Sequence, residues 1–318
     1  MEVAPGVHRI EAPLGDRFVC VYVLVGGEAV LVVDTGIDST PYEYVAPYLA
    51  RIGVEPGRIR YVLNSHADYD HVAGNGSMRE LAPQAVLMCH ALDRALVEDL
   101  ERIIRDRYEE LGPDHGFYES DEGKAAMRAT SRTLPVDLTL SGGEEIRLDV
   151  DWQVAIWHTP GHSRGHVTVH DPRSESLIIC DAALGYAVLR RDGSPAFPPT
   201  YRYVESYMAT LQRLQAARPQ LLLTSHYPVY AEQEAQAFLA ESRAFVERVD
   251  AALIAELEQA QGPRTLQELV AALGPRLGEW PQGANAALSQ PLIGHLERLT
   301  AYGRLRQPDR SSWTLGAG

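Results

Sequence analysis

The chain has 318 residues, 45% of them hydrophobic and 23% charged, and its 43 acidic against 29 basic side chains give a formal net charge of −14. That length can bury a substantial core and suits one large domain with a smaller one, whereas the acidic balance works against long-range attraction to nucleic acid. No apolar run approaches the roughly 20 residues that span a bilayer, and "MEVAPGVHRIEAPLGD" has no basic stretch followed by an apolar one, so neither a membrane segment nor a signal peptide is expected. Three scattered cysteines (Cys20, Cys89, Cys180) make no disulfide framework, which points to the cytoplasm.

The first 35 residues read as β-structure, because "FVCVYVLV" and "AVLVVDTG" are Val-rich runs parted by a "GGE" turn. "TPYEYVAPYLARIG" follows as a helix, with Thr40 as N-cap and Pro41 at the first helical position. "RIRYVLNSH" is a strand, "GNGSMRELAP" starts a short helix and "AVLMCH" is a strand again, an alternation that argues for an α/β fold. Residues 91–133 break the rhythm. "ALDRALVEDLERIIRDRYEEL" has helical periodicity and many charges, and "GPDHGFYESDEG" is expected as an irregular loop carrying Phe117 and Tyr118. This is an insertion; a solvated surface helix is the plainer reading and a substrate lid the sharper one. Strands resume at "VDLTL", "EEIRL", "WQVAIWHT", "HVTVHD" and "SLIICD", and the helix "VESYMATLQRLQAA" precedes the apolar strand "LLLTSH".

A first domain is thus expected over residues 1–235, a connecting helix over 236–262 and a small domain over 263–318. The last contains two helical patterns, "TLQELVAAL" and "SQPLIGHLERLTAYG", and then "RLRQPDRSSWTL", which reads as a hairpin. Helix, helix and two short strands is the order of a winged helix. Its second helix offers one Arg, one His and a mostly apolar stripe, so packing, homodimer formation or shaping of an active-site mouth is favoured over nucleic-acid binding.

The chemistry concentrates in "HADYDH", where His66, Asp68, Asp70 and His71 put four metal-ligand types into six positions directly after a strand. Extended geometry continuing past the strand would turn His66, Asp68 and Asp70 to one side and His71 to another. Three further strands end on ionisable groups: His162 in a Pro-Gly turn, Asp181 after "LIIC" and His226 after "LLTS". Burying such groups is costly unless their charge is compensated, so a shared metal pocket at one sheet edge is expected.

The order "VVDTG", "SHADYDHVAGN", "TPGHSRGH", "IICDA" and "TSHYP" resembles the metallo-β-lactamase superfamily of hydrolases over roughly residues 5–235. The resemblance implies an αββα sandwich, here with a helical lid insertion and a small winged-helix-like C-terminal domain, and two divalent metal ions at one edge of the sheets. Carried over residue by residue, His66, Asp68 and His162 would hold the first metal and Asp70, His71 and His226 the second, with Asp181 bridging. Asp34 would support the loop rather than bind metal. Asp68 stands where the family's usual HxHxDH motif has a second His. A third carboxylate makes the site more neutral and oxygen-rich, shifting preference from zinc toward manganese or iron.

On this reading a hydroxide generated at the metals attacks a small-molecule ester, thioester or lactone. Asp70 would orient that hydroxide and pass its proton to the leaving group. Tyr186 and Tyr227 are candidates to donate to an oxyanion. His166 is read as structural and Cys180 as a core residue. The other readings of the same motifs are a phosphodiesterase or nuclease, a redox diiron protein and a non-catalytic sensor. The Cys that true β-lactamases carry at the position of Asp181 is absent.

Overall fold

The computed structural model describes residues 1–316, so the last two residues of the expected 263–318 segment lie outside the described residues. Two sheets face each other. The first contains β1 (Glu2–Ala4), β2 (Val7–Leu14), β3 (Arg17–Val25), β4 (Val30–Val33), β5 (Ile59–Leu63), β6 (Val86–His90) and β7 (Leu138–Leu140) in that spatial order. β1 to β4 pair antiparallel and β4 to β7 parallel. The β2–β3 hairpin turns at Gly15 and Asp16, with Gly15 at a φ of 60° that favours glycine. The second sheet is built from β8 (Glu145–Asp149), β9 (Trp152–His158), β10 (Val167–Asp171) and β11 (Ser176–Cys180). A small ribbon, β12 (Val188–Leu189) with β13 (Pro195–Phe197), precedes β14 (Leu221–Thr224) and β15 (Tyr230–Ala231), which complete the second sheet in the order β15-β14-β11-β10-β9-β8.

The period-2 alternation of the strands sorts their side chains into layers. On β3, Tyr22 and Leu24 point into the inter-sheet core with Leu31, Leu63, Val154, Ile156, Ile178 and Leu223. Val21 and Val23, one residue out of phase, pack under Leu49, Val72 and Met78 of the outer helices. The outer face of the second sheet is covered by helices Val204–Ala217 and Glu232–Gln259. The result is helix, sheet, sheet, helix, the expected αββα sandwich. Cys180 lies in the inter-sheet core, as its position on β11 requires.

The strands deliver the chemistry to one edge. Asp34 follows β4, His66 follows β5, His162 lies in the β9–β10 loop, Asp181 follows β11 and His226 follows β14. Two non-glycine residues next to this edge, Asp34 (φ 63°) and Cys180 (φ 44°), hold left-handed backbone conformations, the kind of local strain that surrounding structure must over-determine.

Three local expectations are corrected. Thr40 makes no side-chain N-cap bond; its hydroxyl instead accepts from the Ile37 backbone, and the helix opens with a π turn at Pro41–Val45 before Ala46–Arg51. The insertion is not one helix but a string of short turns, Arg94–Val97, Leu100–Arg102 and a π segment Ile103–Tyr108. Its expected loop ends in a helix, Asp121–Ala129, capped by the Ser120 hydroxyl accepting from Gly123 N–H. The Gly and acidic residues after Ser120 resemble a loop.

After the long helix, β16 (Arg264–Thr265), helices Leu266–Leu277 and Ser289–Ala301, β17 (Leu305–Asp309) and β18 (Ser312–Leu315) follow. β18 pairs with both β16 and β17. Leu269, Leu273, Leu292, Leu296 and Trp313 share one continuous buried cluster with Leu211, Phe245 and Leu253. Arg202 fastens this segment to the insertion: its guanidinium donates to Glu297 at 2.7 and 2.8 Å and to Glu110 at 3.0 Å.

Candidate metal centre

Extended backbone persists past β5 only as far as Asp68 (φ −88°, ψ 146°), and a short helix, Tyr69–Val72, begins at once. His66 and Asp68 therefore share the extended stretch, whereas Asp70 and His71 are aimed by the first helical turn. The expected alternation through Asp70 is replaced by this switch, and it places the same groups around one point. Ligand-type atoms of His66, Asp68 and His162 lie within 4.8 Å of one another, as do those of Asp70, His71 and His226, and those of His66, His71 and Asp181. All seven sequence-derived ligand candidates are thus brought together, and His66, His71, His162, His226 and Asp181 are each no more than 4% exposed.

The hydrogen bonds decide which nitrogen each imidazole presents. Asp34 is fully buried; its Oδ1 accepts from Ser65 N–H at 2.7 Å, and its Oδ2 accepts from the Ser65 hydroxyl and from His71 Nδ1, each at 2.8 Å. The Ser65 hydroxyl, its proton directed at Asp34, is left to accept from His66 Nδ1 at 2.9 Å. His226 Nδ1 donates to the Phe18 carbonyl at 2.8 Å. Three imidazoles are thereby held with Nδ1 protonated and Nε2 facing the cluster, the arrangement that orients metal-binding histidines. His66 Nε2, His71 Nε2 and Asp181 Oδ1 are buried without any hydrogen-bond partner. Orphaned buried acceptors around a shared centre fit a cation.

Electrostatics agree. Burial lowers the His71 pKa, but the carboxylates of Asp70, Asp34 and Asp181 outweigh it and push it up to about 10. Burial likewise opposes, and Asp181 overcomes, so that His226 is raised. Asp181 is held well below the usual carboxylate range by His226 and His71 despite its burial. The carboxylates of the cluster thus favour a positive charge at its centre.

One residue absent from the sequence-derived site enters it. Arg107, 7% exposed, donates from Nε to Asp68 Oδ1 at 2.7 Å and from Nη2 to Asp68 Oδ2 at 3.3 Å; Nη2 also lies 3.1 Å from His162 Nε2. Asp68 Oδ2 is in turn 2.9 Å from that nitrogen. Against the effect of burial, Arg107 and His162 hold the Asp68 carboxyl well below its ordinary range. The sequence expectation counts Asp68 as a bare carboxylate that brings the site toward neutrality; the structure pairs it with the Arg107 guanidinium.

The family model described as the metallo-beta-lactamase superfamily matches residues 14–226, two thirds of the chain. The chain belongs to the metallo-β-lactamase superfamily. The acyl-coenzyme A thioesterase MBLAC2 of Homo sapiens is 26% identical over 197 residues, 61% of this chain and 66% of that protein. A hydroxyacylglutathione hydrolase of Pelagibacter ubique is 24% identical over 145 residues, 46% of this chain and 44% of that protein. The chain thus spans just under two thirds of the first relative and less than half of the second. Among solved structures, a metallo-beta-lactamase family protein of Thermus thermophilus aligns with a TM-score of 0.76 at 22% identity, covering 98% of this chain and 99% of that one. A beta-lactamase domain protein of Burkholderia ambifaria aligns at 0.73 and 18% identity, over 99% and 93%. The likeness in fold extends to the C-terminal helices and small sheet.

In this member of the superfamily the cluster opens into a cavity of about 370 Å³. Asp68, Asp70, Asp181 and His226 form its floor, the insertion contributes Tyr108, Phe117 and Met127, and the C-terminal helix contributes Ser289 and Gln290. The insertion forms part of the cavity wall rather than a wholly solvated surface helix. Tyr227 is a correction: it is 2% exposed and its hydroxyl donates to the carbonyls of Leu184 and Ala187, so it has no proton free for an oxyanion. Tyr186 is 38% exposed and does not line the cavity. His166 bonds Thr159 through Nδ1 and stacks on His66, consistent with a structural part. Tyr108, with Phe117 and Tyr118, is expected from the sequence as part of an apolar roof; Arg107 was missed. Its signal was an arginine at helical spacing among apolar residues, since Ile103, Ile104, Arg107 and Leu111 are all buried.

Proposed function

We propose that the chain is a metal-dependent hydrolase of small acyl esters or thioesters. The observation that carries this reading is a buried His/Asp cluster, built to hold a divalent cation, at the floor of a cavity whose opposite wall is aromatic. Asp70, His71 and His226, with Asp181 and His66 adjoining, are the residues that would hold the cation. A bound divalent cation supplies a polarised carbonyl and a water acidified toward neutrality; zinc suits the imidazoles and iron or manganese the carboxylates.

The chain's own groups do the rest. Asp70 lines the cavity with its Oδ2 3.7 Å from His226 Nε2, placed to take the proton of an attacking water and return it to the leaving group. Tyr108 takes the part expected of Tyr227. Burial pushes its pKa well up, its oxygen accepts from Tyr69 N–H at 2.9 Å, and its own proton is free to be donated to an oxyanion or leaving group. Tyr69, Phe117, Phe197 and Met127 supply apolar area for an acyl chain, and Arg17, stacked over Phe197 at 4.9 Å, presents a cation at the mouth. The names of the two curated relatives, a thioesterase and a hydroxyacylglutathione hydrolase, support the same class. Three free, buried cysteines suit a reducing compartment, and we place the protein in the cytoplasm.

The test is turnover of p-nitrophenyl acetate and of a short acyl-coenzyme A thioester, followed by thiol release, against bis-p-nitrophenyl phosphate. Acyl hydrolysis that a chelator abolishes and zinc restores is expected. Faster turnover of the phosphodiester, or none of any substrate with metal bound, rejects the reading.

A further inference from the structure

We infer that Arg107 is a built-in cation for the first half of the centre, so that the chain retains one tightly held metal, at Asp70, His71 and His226, while the His66–Asp68–His162 triad takes a metal only weakly. The inference rests on the metal-holding part of the reading above. Two of the three side chains of that triad are already engaged. Asp68 receives both arms of the Arg107 fork, and His162 Nε2 lies 2.9 Å from Asp68 Oδ2 and 3.1 Å from Arg107 Nη2. Of the orphaned buried atoms around the cluster, His71 Nε2 and Asp181 Oδ1 are on the other side and His66 Nε2 lies between, whereas Asp68 has none and His162 keeps only Nδ1, the nitrogen not bonded to Asp68.

Charge gives the same division. The triad contributes one carboxylate, and Arg107 cancels it, so a divalent ion there would face a neutral set with a guanidinium one hydrogen bond away. Like charges that close repel strongly in a buried setting. The second set brings Asp70 and Asp181, which among the described residues pair only with imidazoles and with no guanidinium or ammonium.

Arg107 is not free to leave. Ile103 and Ile104 anchor its segment in the core, its carbonyl accepts from Gln290 Nε2 at 3.3 Å, and the adjacent Tyr108 is tied to Tyr69 N–H. The guanidinium is therefore delivered jointly by the insertion and by the C-terminal helix. Asp68 in place of the usual histidine then has a purpose within the chain: it is the counter-ion of Arg107.

The experiment is elemental analysis and cobalt(II) titration of the full chain, read by its visible absorption bands. The wild type is expected to keep one metal per chain after gel filtration, with a second equivalent binding at least about 100-fold more weakly. Arg107→Met, which keeps the stem volume and removes the charge, is expected to keep two. The double variant Asp68→His/Arg107→Met, which leaves no buried carboxylate unpaired, is expected to do the same should the single variant fail to fold. Two equally tight equivalents in the wild type overturn the inference without any variant. So does a folded Arg107 variant, single or double, that still keeps one. These readouts count metal, whereas the hydrolase reading stands or falls on turnover by metal-loaded protein, so either can fail alone.

Discussion

Asp34→Asn replaces a carboxylate by an amide of the same shape and inverts the hydrogen-bond polarity beneath the cluster. In the native chain Asp34 accepts three bonds, from Ser65 N–H, the Ser65 hydroxyl and His71 Nδ1. An amide can accept through one atom only. With its oxygen toward Ser65 N–H, its NH2 faces the Ser65 hydroxyl and His71 Nδ1, which forces the His71 proton onto Nε2. The Ser65 hydroxyl must then donate to His66 Nδ1, moving that proton to Nε2 as well. With the amide turned over, NH2 opposes Ser65 N–H at 2.7 Å instead. Either way, the loop is displaced or the two nitrogens facing the cluster lose the lone pairs a metal needs. Loss of such an orienting partner costs about 10–100-fold in metal affinity, about 1.4–2.7 kcal/mol. Competition for zinc against a chromophoric chelator measures it, with circular dichroism as the check on folding. A folded variant whose zinc affinity stays within about twofold of the wild type refutes the argument.

Metal uptake at pH 7 should release about one proton, because His71, raised to about 10, is protonated in the metal-free chain and must lose that proton to bind. Affinity accordingly falls as pH falls, and calorimetry in buffers of different ionisation enthalpy reveals the release; identical heats in all buffers contradict it. Arg202→Met removes the clamp between Glu110 and Glu297. With those carboxylates 31% and 55% exposed, the cost should be about 1–3 kcal/mol in urea unfolding, and an unchanged midpoint would show the clamp to be ornamental. Phe117→Ala strips the roof and should raise KM for longer acyl esters by about tenfold, with kcat for acetate nearly unchanged. Equal KM for short and long chains in wild type and variant would rule out a role for the roof in acyl binding.

Much of this protein is legible in its sequence. Val-rich runs with period 2 marked the strands, and five strand ends carrying Asp or His, in one order, located a metal cluster and the superfamily. These features are local: each depends on a few consecutive residues, and a strand's end is a fixed place relative to its sheet. What could not be read is where distant segments meet. The charged segment around Arg107 reads along the chain as a surface helix, because nothing within it says that its arginine will lie against Asp68, 39 positions earlier. Tyr227 stood beside a ligand in sequence, yet its ring turned into the core, since neighbours on a chain leaving a strand face opposite ways. The cluster, its sheet edge and its family are written in short stretches of chain. That a guanidinium shares half of that cluster, and that the insertion and C-terminal helix lie over it, follows from the fold alone, because charge compensation in a buried site depends on distances across the fold rather than on spacing along it.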